Sequence, residues 1–193
     1  MTVDDATHRP GLTRALLACL AASTLLSACT NTGTPSTTAV ASSPAPSSVD
    51  PSSAPQRPQA ATGTSLPAGK AFVRYYVSVM NYASTTGDIA PMLSASDAGC
   101  QLCKAYSDYV HKVNAANGGL KGDYFERVTD VPDVFRGDSG RLGGYAAVTI
   151  GSYTSNDASG KPVTSAVRRY KREFTLSPQQ GSWVMYEMKL VPQ

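Results

Sequence analysis

Two cysteines with two residues between them, Cys100 and Cys103, form the chemically most suggestive spacing in this 193-residue chain. At a helix start such thiols are acidified by the helix dipole and can exchange with a disulfide substrate. They can equally close into a structural bridge or supply part of a metal site. A redox pair of the usual kind follows a strand in a βαβ unit, whereas a helical pattern and a turn precede this one. Zinc needs four ligands as a rule, and His111 is the only histidine beyond the amino-terminal segment. No metal site and no cofactor are expected. Asp108 and His111, three residues apart, could work as an acid/base pair. They share one helix side with Lys104 and Lys112, opposite Tyr106, Val110 and Val113, which is the pattern of a solvated face.

The run Arg168-Arg169-Tyr170-Lys171-Arg172 is the second chemical feature. On a strand, alternation places Arg168, Tyr170, Arg172 and Phe174 on one face, with Arg169, Lys171 and Glu173 on the other. Both faces then carry charge, which suits an outward sheet surface. If the first face turns inward, Arg168 or Arg172 beside Tyr170 and Phe174 becomes an anion-binding group in an aromatic pocket. These four residues are the candidate ligand site. Gly137-Asp138-Ser139-Gly140 places a serine in the setting of a protease nucleophile loop. A triad would need histidine and aspartate from earlier segments and a longer chain, so the string reads as a turn.

The elements that must position these groups change character midway. Phe72, Tyr75, Tyr76, Val79, Met80 and Ala83 recur at helical spacing, with Ser65 and Pro67 suited to the start and Gly87 to the stop. Asp88 can cap a short helix holding Pro91, Met92 and Leu93. A third helix begins near Cys100 and ends at Gly118-Gly119. Extended runs follow at Tyr124 to Val128, Val131 to Phe135, Gly144 to Tyr153, Val163 to Leu176 and Trp183 to Val191. In the last of these, Val184, Tyr186, Met188 and Leu190 alternate with Trp183, Met185, Glu187 and Lys189. Helices first and strands afterwards predict an α+β fold, with three helices packed in the concavity of a curved, mostly antiparallel sheet.

Upstream of this domain the composition is different. Arg9 and Arg14 precede an apolar stretch, Ala15 to Leu26, which fits a signal-peptide core and is too short to span a bilayer, where about 20 apolar residues are needed. Leu26-Ser27-Ala28-Cys29 resembles the lipobox of bacterial lipoproteins. The resemblance implies cleavage after residue 28 and a diacylglycerol thioether on Cys29, whose two chains hold a protein durably at a membrane. Thr30 to Leu66 is dominated by Ser, Thr, Pro and Ala and cannot build a core, which predicts a disordered tether. The expected organisation is signal peptide 1–28, lipidated tether 29–66 and one folded domain 67–193. Export reaches an oxidising space, and with Cys19 removed and Cys29 lipidated, Cys100 and Cys103 are expected to pair. Redox, metal-bound and free-thiol states remain the alternatives. The formal net charge of +3 is too weak for nucleic-acid binding.

The order of elements, with Asn81-Tyr82-Ala83-Ser84-Thr85-Thr86-Gly87-Asp88 closing the first helix, resembles the nuclear transport factor 2-like cone. Ala71-Phe72-Val73-Arg74-Tyr75-Tyr76, then Asn81-Tyr82, then Cys100-Gln101-Leu102-Cys103, is similar to a bacterial lipoprotein family catalogued as a domain of unknown function. The resemblance carries no activity with it. The expected function is a lipid-anchored, extracytoplasmic binding or interaction module for an anionic or aromatic small ligand or an envelope protein. A ketosteroid isomerase or polyketide cyclase type of enzyme would instead draw its carboxylate from Asp123, Glu126, Glu173 or Glu187. A structural envelope subunit would have a filled interior.

Overall fold

The computed structural model describes residues 53–117, 120–157 and 159–193. Cys29 and the segments expected to form the lipobox and signal peptide lie outside those residues, as do Gly118 and Gly119. Among the described residues no helix is long and apolar enough to cross a membrane.

Helix α1 spans Leu66–Thr86. Its ends follow from the sequence: the Ser65 side chain accepts a hydrogen bond from the Ala68 N–H, and Gly87 closes the helix with φ of 77°, a conformation glycine adopts without a Cβ clash. Helix α2, Ala90–Ser94, begins where Asp88 Oδ1 accepts from the Ala90 N–H at 3.0 Å. Helix α3 spans Gln101–Asn117. The strands are β1 (Lys121–Gly122), β2 (Glu126–Asp130), β3 (Val134–Arg136), β4 (Leu142–Ile150), β5 (Tyr153–Asn156), β6 (Pro162–Ser165), β7 (Arg168–Gln179) and β8 (Ser182–Pro192).

All strand pairings are antiparallel, in two sheets. The main sheet runs β2-β4-β7-β8, with β3 lying on β4 beyond β2, and the small one runs β1-β5-β6. The fold is α+β, as expected, with an open curved sheet over the helices. Two extended runs are each broken in two. Gly144 to Tyr153 splits at Gly151, where a Cβ would come within 2.2 Å of the Asp123 carboxylate, and Val163 to Leu176 splits between β6 and β7. The detached pieces β5 and β6 pair with each other and build the small sheet with β1.

The core joins the inner face of the main sheet to α1 through Phe72, Tyr76, Met80, Leu142, Leu176 and Trp183. Along β8 the burial phase differs from strict alternation. Trp183 and Met185 are buried, and then Met188, because a bulge opposite Thr175 and Leu176 shifts the register at Tyr186. At that bulge the Ala95–Asp97 loop docks on β8: the Asp97 N–H donates to Met185 O at 2.7 Å, and the Met185 N–H donates to Ala95 O at 3.0 Å.

The packed region also begins earlier than residue 67. A short 3₁₀ turn, Gln59–Ala61, lies on α1 with Ala61 fully buried, and the Arg57 guanidinium sits 4.8 Å from the Phe72 ring centre. Composition assigned 53–66 to the tether because these residues build no core of their own. They are held instead by side chains that α1 and β8 already present.

Cys100 and Cys103 stand at disulfide distance, 5.3 Å apart at Cα, and both are buried. The ring they close is short, so its loop-closure contribution is only about 2 kcal/mol. Urea unfolding with and without a reductant should differ by that amount or less, with helical circular dichroism unchanged in the native baseline. A difference above ~4 kcal/mol would contradict a local role for the bridge.

Candidate functional site

A pocket of about 410 Å³ opens between α3 and the far end of the main sheet. Leu102, Ala105, Tyr106 and Tyr109 of α3 form one wall, and Tyr124, Leu120, Ile150 and Tyr153 form another. Arg172, Met188 and Leu190 come from β7 and β8, and Glu126 from β2. The α3 wall exists because that helix buries Cys103, Ser107, Val110 and Val113. Leu102 and Tyr109 are thereby left exposed by 43% and 45%, more than side chains of their size need be. Asp108 and His111 are exposed on the same helix and do not line the pocket.

Of the four predicted site residues on β7, alternation holds but convergence does not. Phe174 is buried in the core, Tyr170 packs half-buried against it, and Arg168 is exposed. Only Arg172 lines the pocket, and it is 4% exposed. Its guanidinium is already engaged: Nε donates to Glu126 Oε2 at 2.8 Å and Nη2 donates to Glu126 Oε1. Arg172 pairs across the sheet with Ala146, and Glu126 with Ile150, so all four face inward and the long guanidino group closes the gap between the two. Both carboxylate oxygens are occupied, which is the arrangement that makes a buried charge tolerable.

Asn81 of α1 holds this pair in place. Its Nδ2 donates to Glu126 O at 2.9 Å, and its Oδ1 accepts from the Glu126 N–H at 2.9 Å. The side-chain amide thereby satisfies the free backbone edge of β2, where no further strand pairs. Beside the pair, the Tyr106 hydroxyl bonds to Ser84 Oγ at 2.8 Å. Burial, and then the nearby Glu126 charge, raise the Tyr106 pKa well above the usual phenol value. Burial also pushes Tyr76 up to about 12, against the opposing hydrogen bond from Ser96. Both phenols are therefore neutral at physiological pH.

The other acids considered for catalysis lie elsewhere. Asp123 is exposed and pairs with Arg127 at 2.8 Å, while Glu173 and Glu187 are exposed and line a separate outer depression beside Phe135. Sequence reasoning listed Glu126 only as one acid among four and gave Asn81 no role. Tyr124 and Tyr153 were missed as wall residues, since their contribution depends on how β1 and β5 fold across the opening. Of the other aromatic residues, Tyr76 and Trp183 are core, Tyr145 sits outside under Lys171, and Tyr75 and Tyr82 line a groove on the outer side of α1.

Residues 40–189 match a family model. The chain belongs to DUF6318, a family of unknown function. The matched span of the DUF6318 chain starts ahead of residue 53, so it takes in the segment that packs on α1 and every pocket residue except Leu190. No curated protein matches the chain. Among solved structures, the DUF6318 fold is similar to the intermembrane space region of the chloroplast protein ARC6, at 19% identity and a TM-score of 0.48, covering 63% of this chain and 92% of that one. It is also similar to Aln2 from a Streptomyces species, at 12% identity and a TM-score of 0.41, covering 62% and 87%.

Proposed function

We propose that this DUF6318 chain is a non-catalytic binding module whose pocket takes a small, largely uncharged ligand with an aromatic or aliphatic body. The observation that carries the reading is the charge state of the pocket's interior: its buried cation and anion neutralise each other. A free anion would meet a guanidinium whose charge Glu126 already neutralises. What the pocket offers instead is the faces of Tyr106, Tyr109, Tyr124 and Tyr153 with Leu102, Ile150 and Met188, a lining suited to apolar rings and chains. The same pairing weighs against an isomerase or cyclase, because a general base needs a carboxylate oxygen within reach of substrate.

The lipobox resemblance supports a location on the extracytoplasmic side of a membrane, anchored through Cys29. The test uses the neutral fluorophore N-phenyl-1-naphthylamine with the purified mature chain. Saturable binding is expected, weakened about tenfold or more when Tyr153→Ala removes a wall. Turnover in a substrate screen that is lost in Glu126→Gln would overthrow the binding reading in favour of an enzyme.

A further inference from the structure

The pocket holds more hydrogen-bond donors than the protein itself uses. Ser84 of α1 and Tyr106 of α3 both line it, and their hydroxyls meet in one hydrogen bond of 2.8 Å in which either can be the donor. Each hydroxyl brings one proton, so whichever way that bond runs, one proton is left over. No other acceptor among the described residues takes it. The neighbouring hydroxyls of α1 behave differently, since Ser78, Thr85 and Thr86 donate to Tyr75 O, Asn81 O and Tyr82 O of their own helix. Ser84 turns across to α3 instead.

Arg172 adds to the surplus. A guanidinium donates from Nε, Nη1 and Nη2, and Glu126 accepts only from Nε and Nη2. Nη1 meets no acceptor among the described residues, although the side chain as a whole is 4% exposed. No fully enclosed polar side-chain atom among those residues lacks a partner, so Nη1 is a group that opens on the pocket rather than one sealed in the core. The two sets of donors are neighbours. Burial and then the Glu126 charge hold the Tyr106 proton on, while Arg172 acts in the opposite sense, so both members of the ion pair lie within electrostatic reach of the phenol.

We propose that the pocket selects ligands carrying an uncharged carbonyl, a ketone or an ester, on an apolar body, with the carbonyl oxygen accepting from Arg172 and from the Ser84–Tyr106 hydroxyl pair. The proposal rests on the binding reading above and narrows it to a ligand class. A ligand that displaces solvent without supplying an acceptor leaves these donors unpaired, and a site built around hydrogen bonds rejects such a ligand strongly. A carboxylate supplies acceptors but brings a charge that Glu126 opposes. A carbonyl oxygen has two lone pairs and no charge, which suits donors whose cation is already neutralised.

The test compares two compounds of nearly the same shape, 2-acetylnaphthalene and 2-isopropenylnaphthalene, which differ in a carbonyl oxygen against a methylene. Each is titrated into the purified mature chain loaded with N-phenyl-1-naphthylamine, and displacement is read by fluorescence. The ketone is expected to bind about tenfold or more tightly than the alkene. Ser84→Ala with Tyr106→Phe should cut that ratio about threefold, and Arg172→Met with Glu126→Leu should bring it close to one. The ratio is the informative quantity, because a variant that merely deforms the pocket weakens both compounds alike, and circular dichroism reports whether each variant is folded. A ratio near one in the parent overturns the proposal and leaves the binding reading standing, whereas failure of the fluorophore to bind saturably overturns both. An unchanged ratio in both folded variants, or tighter binding of 2-naphthoate than of the ketone, also overturns it.

Discussion

Arg172→Met is expected to lower the unfolding free energy by about 3–5 kcal/mol, because it leaves the Glu126 carboxylate inside the pocket without its partner. Neither residue can turn outward to recover solvent: Glu126 is fixed at its backbone by Asn81, and Arg172 lies mid-strand between β4 and β8. The double variant Arg172→Met with Glu126→Leu should regain most of the loss, since two apolar side chains of similar volume replace a desolvated pair. Urea unfolding of the parent, both single variants and the double variant closes the cycle, and a coupling energy near zero would sink the argument. The cycle also separates two ways of binding. If the tyrosine walls hold the ligand, the double variant keeps its affinity for N-phenyl-1-naphthylamine. If the pair itself holds it, affinity disappears while stability returns.

How far this site could be read from sequence depends on the range of each contact. The ends of α1 were legible because Ser65, Pro67 and Gly87 act within one turn of themselves, and the structure places the helix at Leu66–Thr86. Alternation along β7 was legible for the same reason, and it put Arg172 and Phe174 together on one face, without saying that this face turns inward. Their different surroundings were not legible. Arg172 meets a carboxylate 46 positions away, and nothing in the spacing of the basic run singles out Glu126 from Asp123, Glu173 and Glu187. The division of the long extended runs was hidden too, since Gly151 breaks its strand through contact with Asp123, far back in the chain. The β8 phase shift likewise depends on a bulge set by pairing with β7. Residues 53–66 show the converse: their composition predicts no structure, and they are ordered by aromatic groups supplied from elsewhere.

That dependence yields the second large effect, at Trp183. The indole is fully buried, its Nε1–H donates to Ser65 O at 3.0 Å, and its backbone O accepts from Arg57 at 3.2 Å. The Arg136 guanidinium lies 4.9 Å from the ring centre. Gly69 lets α1 come close at this point, since a Cβ there would lie 2.1 Å from Leu142 Cδ2 and 3.4 Å from the indole nitrogen. One side chain therefore ties the helix start, the incoming segment and the start of β8 together. Trp183→Ala should lower stability by about 3–5 kcal/mol through the cavity it leaves. Trp183→Phe should cost less in packing and removes one of two hydrogen bonds to the Ser65 carbonyl, which keeps the Gly69 N–H, a loss of about 0.5–1.5 kcal/mol. The two variants differ in a second readout. If Trp183 latches the incoming segment, limited proteolysis of Trp183→Ala cuts within 53–65 at denaturant concentrations where the sheet is still folded, because the segment opens locally before the domain does. Cleavage that only tracks global unfolding would mean that residues 53–65 are held by Arg57 and the 3₁₀ turn without the indole.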